Sequence, residues 1–285
     1  MKARAWMGAV AMATLAGAAI TVAPVAAGPW PTFSLDEALD LAAVEVPDGV
    51  GVVVHTDFPA EAPLVIDGVS YHSLTLDITP EGSVVTRNAV ARETASSPAS
   101  DECDDPTFKP LGIKWKAERI PVLWRLDLRS IPDYLERAKT RETIRSAHRV
   151  WPQSQTMCSD DDKNELRYNY VGHTGKNPKF DHTNIVDFGP LGNGALGQNY
   201  TWYRGTEIVE VDLRLNNAYL WTNVESVNRY QVKNVTTHEL GHQVGLDDLG
   251  DPHGGLTMYA VIDKGETSKV TLGFGDLKGA WAVSP

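Results

Sequence analysis

His238-Glu239-Leu240-Gly241-His242 places two imidazoles four residues apart, with a carboxylate directly after the first. On a helix, residues four apart share a face, so His238 and His242 can reach one ion. Neutral imidazole is a good zinc ligand, with Zn–N near about 2.0–2.1 Å. Glu239 then sits beside the ion rather than on it. From there it can take a proton from metal-activated water and pass it to a leaving amine. A catalytic zinc also needs a third protein ligand and an open fourth position. Gly245 indicates where the third comes from: glycine tolerates the left-handed conformation that ends a helix, so the chain can turn back there. Asp248, shortly after, would then arrive under the metal. Asp247 beside it and His253 beyond it compete on spacing. A bare His-Glu-x-x-His arises by chance in roughly one chain of this length in a hundred. The glycine and Asp248 that follow make chance a poorer account.

The run from His238 to Asp248 resembles the metzincin metallopeptidase signature, His-Glu-x-x-His-x-x-Gly-x-x-His/Asp, in the variant with Asp as third ligand found in snapalysin-like secreted bacterial proteases. Leu256-Thr257-Met258-Tyr259 looks like the clan's methionine-bearing turn, and Thr271 to Gly279 resembles the start of the last helix in matrixin-type members. The resemblance is densest between residues 194 and 281. It implies an α+β catalytic domain with a mixed twisted sheet, a zinc-binding helix, a Met turn and a C-terminal helix. It also implies zinc-dependent hydrolysis of peptide bonds in a protein or peptide substrate. His238, His242 and Asp248 would be the ligands, Glu239 the general base, and Met258 an apolar floor. In metzincins the edge strand along the cleft pairs with extended substrate. Gly194-Ala195-Leu196-Gly197-Gln198 is the matching segment by chain order, with an ordinary buried strand as the alternative. A tyrosine that reaches zinc in some members would fall at Ala260, so that role is not carried over to Tyr259. In gluzincins a later Glu is the third ligand; Glu266 stands at a suitable distance but in a turn-like stretch. His173 and His182 flank a loop where some matrixins hold a structural zinc, and read as exposed loop residues.

Composition narrows the setting. The chain has 285 residues, 42% of them hydrophobic and 22% charged, enough for one core with extra material or for two small domains. A net charge of −11 argues against a nucleic-acid partner. Residues 1–27 read as a secretory signal peptide. Lys2 and Arg4 precede an apolar run from Ala5 to Ile20, and Val25-Ala26-Ala27 offers a cleavage site before Gly28. A membrane anchor is the competing reading, weakened by the run's alanine content and lone leucine. No later run is apolar enough to cross a membrane. A secreted, extracellular monomer without stable membrane association is expected.

In an oxidising compartment Cys103 and Cys158 default to a disulfide. Closing a loop of about 55 residues would stabilise the fold by about 4 kcal/mol. The competing reading is a matrixin-type switch in which the Cys103 thiolate fills the open metal position; its acidic neighbours do not look like that motif. Asp160-Asp161-Asp162 makes calcium a further candidate cofactor beside zinc.

Residues 28–92 read as a small α/β propeptide or accessory domain. It would contain a helix over Phe33–Val44 capped by Ser34 and Glu37, a strand from Val50, and a strand alternating from Tyr71 to Thr79. Residues 93–104 are linker-like in composition, and 105–285 form the catalytic domain. There, strands are expected over Ile120–Leu128, Glu165–Val171, Thr183–Gly189, Gly194–Tyr200 and Glu207–Leu213. Ser130 is expected to cap a helix with Pro132 in its first turn. Ile144, Ala147 and Trp151 would form that helix's core face, with His148 packing beside them. Thr222 and Glu225 form a capping-box pattern, so the zinc helix begins there or later, near Asn234. Together these readings describe a secreted zinc endopeptidase made as a zymogen. The rival is a secreted binding module that keeps the fold without activity, which would have no use for Glu239.

Overall fold

The computed structural model describes residues 31–42, 44–91, 101–158 and 164–285. The signal-like segment 1–27, most of the linker-like stretch and the run Asp160-Asp161-Asp162 lie outside the described residues. The first element starts as its sequence predicts. The Ser34 N–H donates to the Glu37 carboxylate (2.9 Å) and the Glu37 N–H to Ser34 Oγ (3.3 Å), a reciprocal cap that opens α1 (Leu35–Ala42). Strands β1 (Gly51–Asp57), β2 (Leu64–Ile66), β3 (Val69–Ile78) and β4 (Val84–Ala91) follow. After the linker come β5 (Val122–Leu126), α2 (Arg137–Val150), β6 (Tyr168–His173), β7 (Asn184–Gly189), β8 (Gly197–Arg204) and β9 (Glu207–Asn216). The short pair β10 (Trp221–Thr222) and β11 (Tyr230–Gln231) leads into α3 (Val232–Val244), and α4 (Phe274–Val283) ends the chain.

Among the described residues nine strands form one mixed sheet, in the order β2-β3-β1-β8-β9-β7-β5-β6, with β4 also paired to β3. The strands β5, β6, β7 and β9 pair in parallel, and β8 runs antiparallel to both β9 and β1. Strands from both sides of the expected domain boundary therefore share one sheet. Both faces of its middle are covered. Val52 and Val54 pack with Ala38 and Ala42 of α1, while Val53 joins Leu240 and Val244 of α3. This explains why Val52-Val53-Val54 is apolar without alternation, as strands buried on both faces are.

Three local expectations are corrected. Helix α2 begins at Arg137 rather than after Ser130. The Ser130 hydroxyl instead donates to the Asp127 carbonyl and accepts the Phe188 N–H, tying a turn to β7. Thr222 and Glu225 cap no helix: Thr222 Oγ1 closes a local turn with Val224, and α3 starts at Val232, close to the later of the two expected starts near Asn234. In both places the hydroxyl serves another backbone group instead, within a local turn at Thr222 and on β7 at Ser130. Third, Gly194–Gln198 is not the edge of the sheet, because β1 lies against β8 along its whole length.

His148 is a packing residue. Its ring stacks on Trp124 at 3.6 Å between centroids, and its Nδ1 lies 2.9 Å from the Ile144 carbonyl. Burial lowers its pKa from 6.5 to about 3. Between those values the unfolded chain binds a proton that the native chain does not, so stability falls as pH falls through that window. The expected slope from this group approaches about 1.4 kcal/mol per pH unit below its ordinary pKa. Denaturant unfolding from pH 7 to pH 4 should show that component in the parent and not in His148→Phe; parallel curves would refute it.

Candidate metal centre

Helix α3 carries the two histidines, and almost every residue of it is buried. Two tryptophans hold it from outside: Trp151 Nε1–H donates to the Thr237 carbonyl and Trp115 Nε1–H to that of Gln243, each at 2.8 Å. Gly241 lets Met258 lie against the helix backbone; a Cβ there would stand 2.1 Å from the Met258 sulfur and 2.7 Å from the Trp151 ring. Met258 thus packs against the helix that carries both histidines. At Gly245 the backbone turns left-handed (φ 114°), and its N–H bonds back to Gly241 and His242. A side chain there would be strained and would meet the Ile113 carbonyl at 2.8 Å. The reversal brings Asp248 up beside the histidines.

Hydrogen bonding orients both rings. His238 Nδ1 lies 2.7 Å from the Thr257 carbonyl, and His242 Nδ1 lies 3.0 Å from that of Leu246. A carbonyl only accepts, so each Nδ1 carries the proton and each Nε2 turns a lone pair inward. Asp248 Oδ1 stands 3.3 Å from His238 Nε2 and 3.6 Å from His242 Nε2. A fourth group, absent from the sequence-based set, joins them: Asp57 Oδ2, from the end of β1, is 3.3 Å and 3.8 Å from the same two nitrogens. All four side chains are buried, and their inward-facing atoms have no hydrogen-bond partner. Ligands about 2.0–2.1 Å from one ion at tetrahedral angles lie about 3.3 Å apart. The donor set therefore fits a zinc-sized ion, with two nitrogens and carboxylate oxygens in place of the six to eight oxygens calcium prefers.

Glu239 lies beside this cluster against β8, and a Cβ at Gly197 would stand 2.1 Å from its Oε1. Burial pushes its carboxyl well above the usual range, and the Asp57 charge adds to that. Burial disfavours the charged form of His238, yet Asp57 and Asp248 together hold its pKa well above the ordinary value, so a metal ion takes up the Nε2 lone pair by displacing a proton.

Among the described residues the metal-sized cluster contains none of the rival third ligands. Asp247 Oδ1 accepts from Thr75 Oγ1 (2.8 Å), Asn88 Nδ2 (3.3 Å) and the Asp248 N–H (2.9 Å), and Lys109 Nζ is 3.1 Å from Oδ2. Burial opposes its charge, but Lys109, His55 and Thr75 hold the carboxyl well below the usual range. His253 Nδ1 lies 2.7 Å from Asp105 Oδ2. Glu266 pairs with Lys269. Cys103 and Cys158 are joined in a disulfide, so the thiolate switch is excluded. His173 and His182 are exposed.

Besides Asp57, sequence reasoning missed Asp276. This α4 carboxylate accepts the N–H groups of Thr257 (2.7 Å), Met258 (3.2 Å) and Gly273 (2.9 Å), locking the Met turn to the last helix. Its position three residues after Gly273 at the start of an expected helix was the available signal.

A family model described as Matrixin matches residues 114–283. That span contains α3, Asp248, Met258 and α4, whereas Asp57 lies outside it. No curated protein matches the chain.

Proposed function

Because the chain belongs to the matrixin family of zinc metalloproteases, we propose that it is a secreted zinc endopeptidase in which His238, His242 and Asp248 hold the ion and Glu239 is the general base. The observation that carries this is the convergence of two inward-facing Nε2 lone pairs and an unpaired Asp248 carboxylate beside the Glu239 carboxyl. Bound zinc would polarise the scissile carbonyl and acidify the attacking water. Glu239 takes the proton of that water and delivers it to the departing amine. Thr257 and Leu246 keep both rings in the ligating tautomer. Met258 closes the floor of the site with apolar surface. Secretion rests on the charge and small-residue pattern of residues 1–27. Residues 28–92 are read as a propeptide released by a cut within 93–104. Among the described residues no helix is long and apolar enough to cross a membrane.

The test is metal analysis and N-terminal sequencing of the secreted protein, together with cleavage of denatured casein. The expected result is about one zinc per chain, a mature N-terminus near the linker, and internal cleavage that 1,10-phenanthroline abolishes and added zinc restores. A processed protein without zinc, or with cleavage indifferent to the chelator, would overturn the proposal.

A further inference from the structure

The Asp57 carboxylate is placed where a catalytic site should be open. A zinc site that works on substrate keeps one position free of protein, whereas one with four protein ligands is closed. Here four ligand atoms from Asp57, His238, His242 and Asp248 lie within 4.8 Å of one another. Both Asp57 oxygens are buried without a hydrogen-bond partner. A desolvated carboxylate left in that state costs several kcal/mol or more unless a cation meets it.

The chain that carries Asp57 runs the length of the cleft. From Gly51 to Asp57 it pairs antiparallel with β8, in a register that sets Gly51 opposite Tyr203 and Asp57 opposite Gly197. The Leu196 N–H donates to the Asp57 carbonyl at 2.7 Å. Past Asp57 it continues across the site, and the Ala60 N–H donates to the Ile262 carbonyl at 3.0 Å, beyond the Met turn. Glu61 then pairs with Lys264 and accepts from the Tyr230 hydroxyl, each at 2.7 Å. Two residues before Asp57, on the same face of β1, His55 stacks on His242 at 3.8 Å between ring centroids. One continuous segment thus uses the backbone groups on both flanks of the metal centre and covers a histidine ring between them.

We propose that Asp57 is the fourth protein ligand of the zinc in the intact chain, and that residues 51–60 hold the enzyme latent by lying in the cleft as an extended peptide. This rests on the zinc reading above. Latency has two parts. The Asp57 carboxylate takes the position that water and the substrate carbonyl need, and β1 uses the edge of β8 that an extended substrate would otherwise pair with. Cutting the linker alone leaves β1 hydrogen-bonded in place; activity appears when the strand leaves.

The test uses the full-length chain and its Asp57→Asn variant, each loaded with zinc or with cobalt(II) as a spectroscopic substitute, and acetohydroxamate as a small probe of an open metal position. Unfolding of the metal-free proteins comes first. The substitution keeps the shape of the side chain, and a cooperative transition shows that the variant is folded before metal is added. With metal, the parent cobalt spectrum is expected to be unchanged by acetohydroxamate, whereas that of the variant shifts on its addition. Zinc binding by the variant is expected to weaken by about 100-fold, since even the loss of a group behind a ligand costs about 10–100-fold. Metal bound equally by both proteins, with equal response to the probe, overturns the Asp57 assignment and leaves the zinc reading standing. Failure of both folded proteins to bind zinc or cobalt overturns the two together.

Discussion

Glu239→Gln, made in the processed protein, is expected to keep its zinc and to lose cleavage of denatured casein by at least about 10²–10⁴-fold, the usual worth of a positioned proton-transfer group. Glutamine keeps the shape of the side chain wedged against Gly197, so the fold and the three ligands should be undisturbed. What it lacks is a site that can accept a proton. Zinc content, measured beside turnover, separates this outcome from collapse of the site. A variant that retains zinc and cleaves at the parent rate would remove Glu239 from the mechanism.

Asp276→Ala is expected to be the most damaging change outside the metal ligands. The carboxylate is 1% exposed and accepts three backbone N–H groups. Leaving a buried donor unsatisfied costs about 1–3 kcal/mol; because the three share one acceptor, a total of about 3–5 kcal/mol is expected. The damage should reach the site. Two of the freed groups belong to Thr257 and Met258, and the Thr257 carbonyl holds the Nδ1–H of His238. Zinc affinity is therefore expected to fall by about 10–100-fold. Asp276→Asn keeps one acceptor oxygen, but its amide nitrogen must face a donor, so it should lie between parent and alanine. Denaturant unfolding of the metal-free protein and zinc competition check both parts. An alanine variant with parental midpoint and affinity would show that the Met turn holds itself.

Features legible in the sequence were those whose geometry is local. The four-residue spacing of His238 and His242 puts both on one helical face wherever that helix packs. Gly245 ends the helix because no side chain fits there, and the position of Asp248 follows from the turn. Ser34 and Glu37 cap α1 because the reciprocal bonds close within four residues. Where an equally local pattern failed, at Ser130 and Thr222, another backbone group lay within reach of the same hydroxyl.

Tertiary structure alone decided the rest. Asp247 and His253 compete with Asp248 on spacing; chain packing brings only Asp248 of the three to the two histidines, with Thr75, Asn88 and Lys109 around Asp247 and Asp105 beside His253. A strand over Gly194–Tyr200 is readable in the sequence, and β8 runs from Gly197 to Arg204; the neighbour that fills its free edge is not readable, because backbone hydrogen-bonding groups are alike in every residue but proline. Nor does any local pattern mark Asp57 as a group that meets two histidines from the far end of the chain. Sequence by itself determined the kind of chemistry, since helical spacing and side-chain type set which atoms can share an ion. The number of protein groups around that ion depended on which distant strand lies beside β8, and only chain packing decides that.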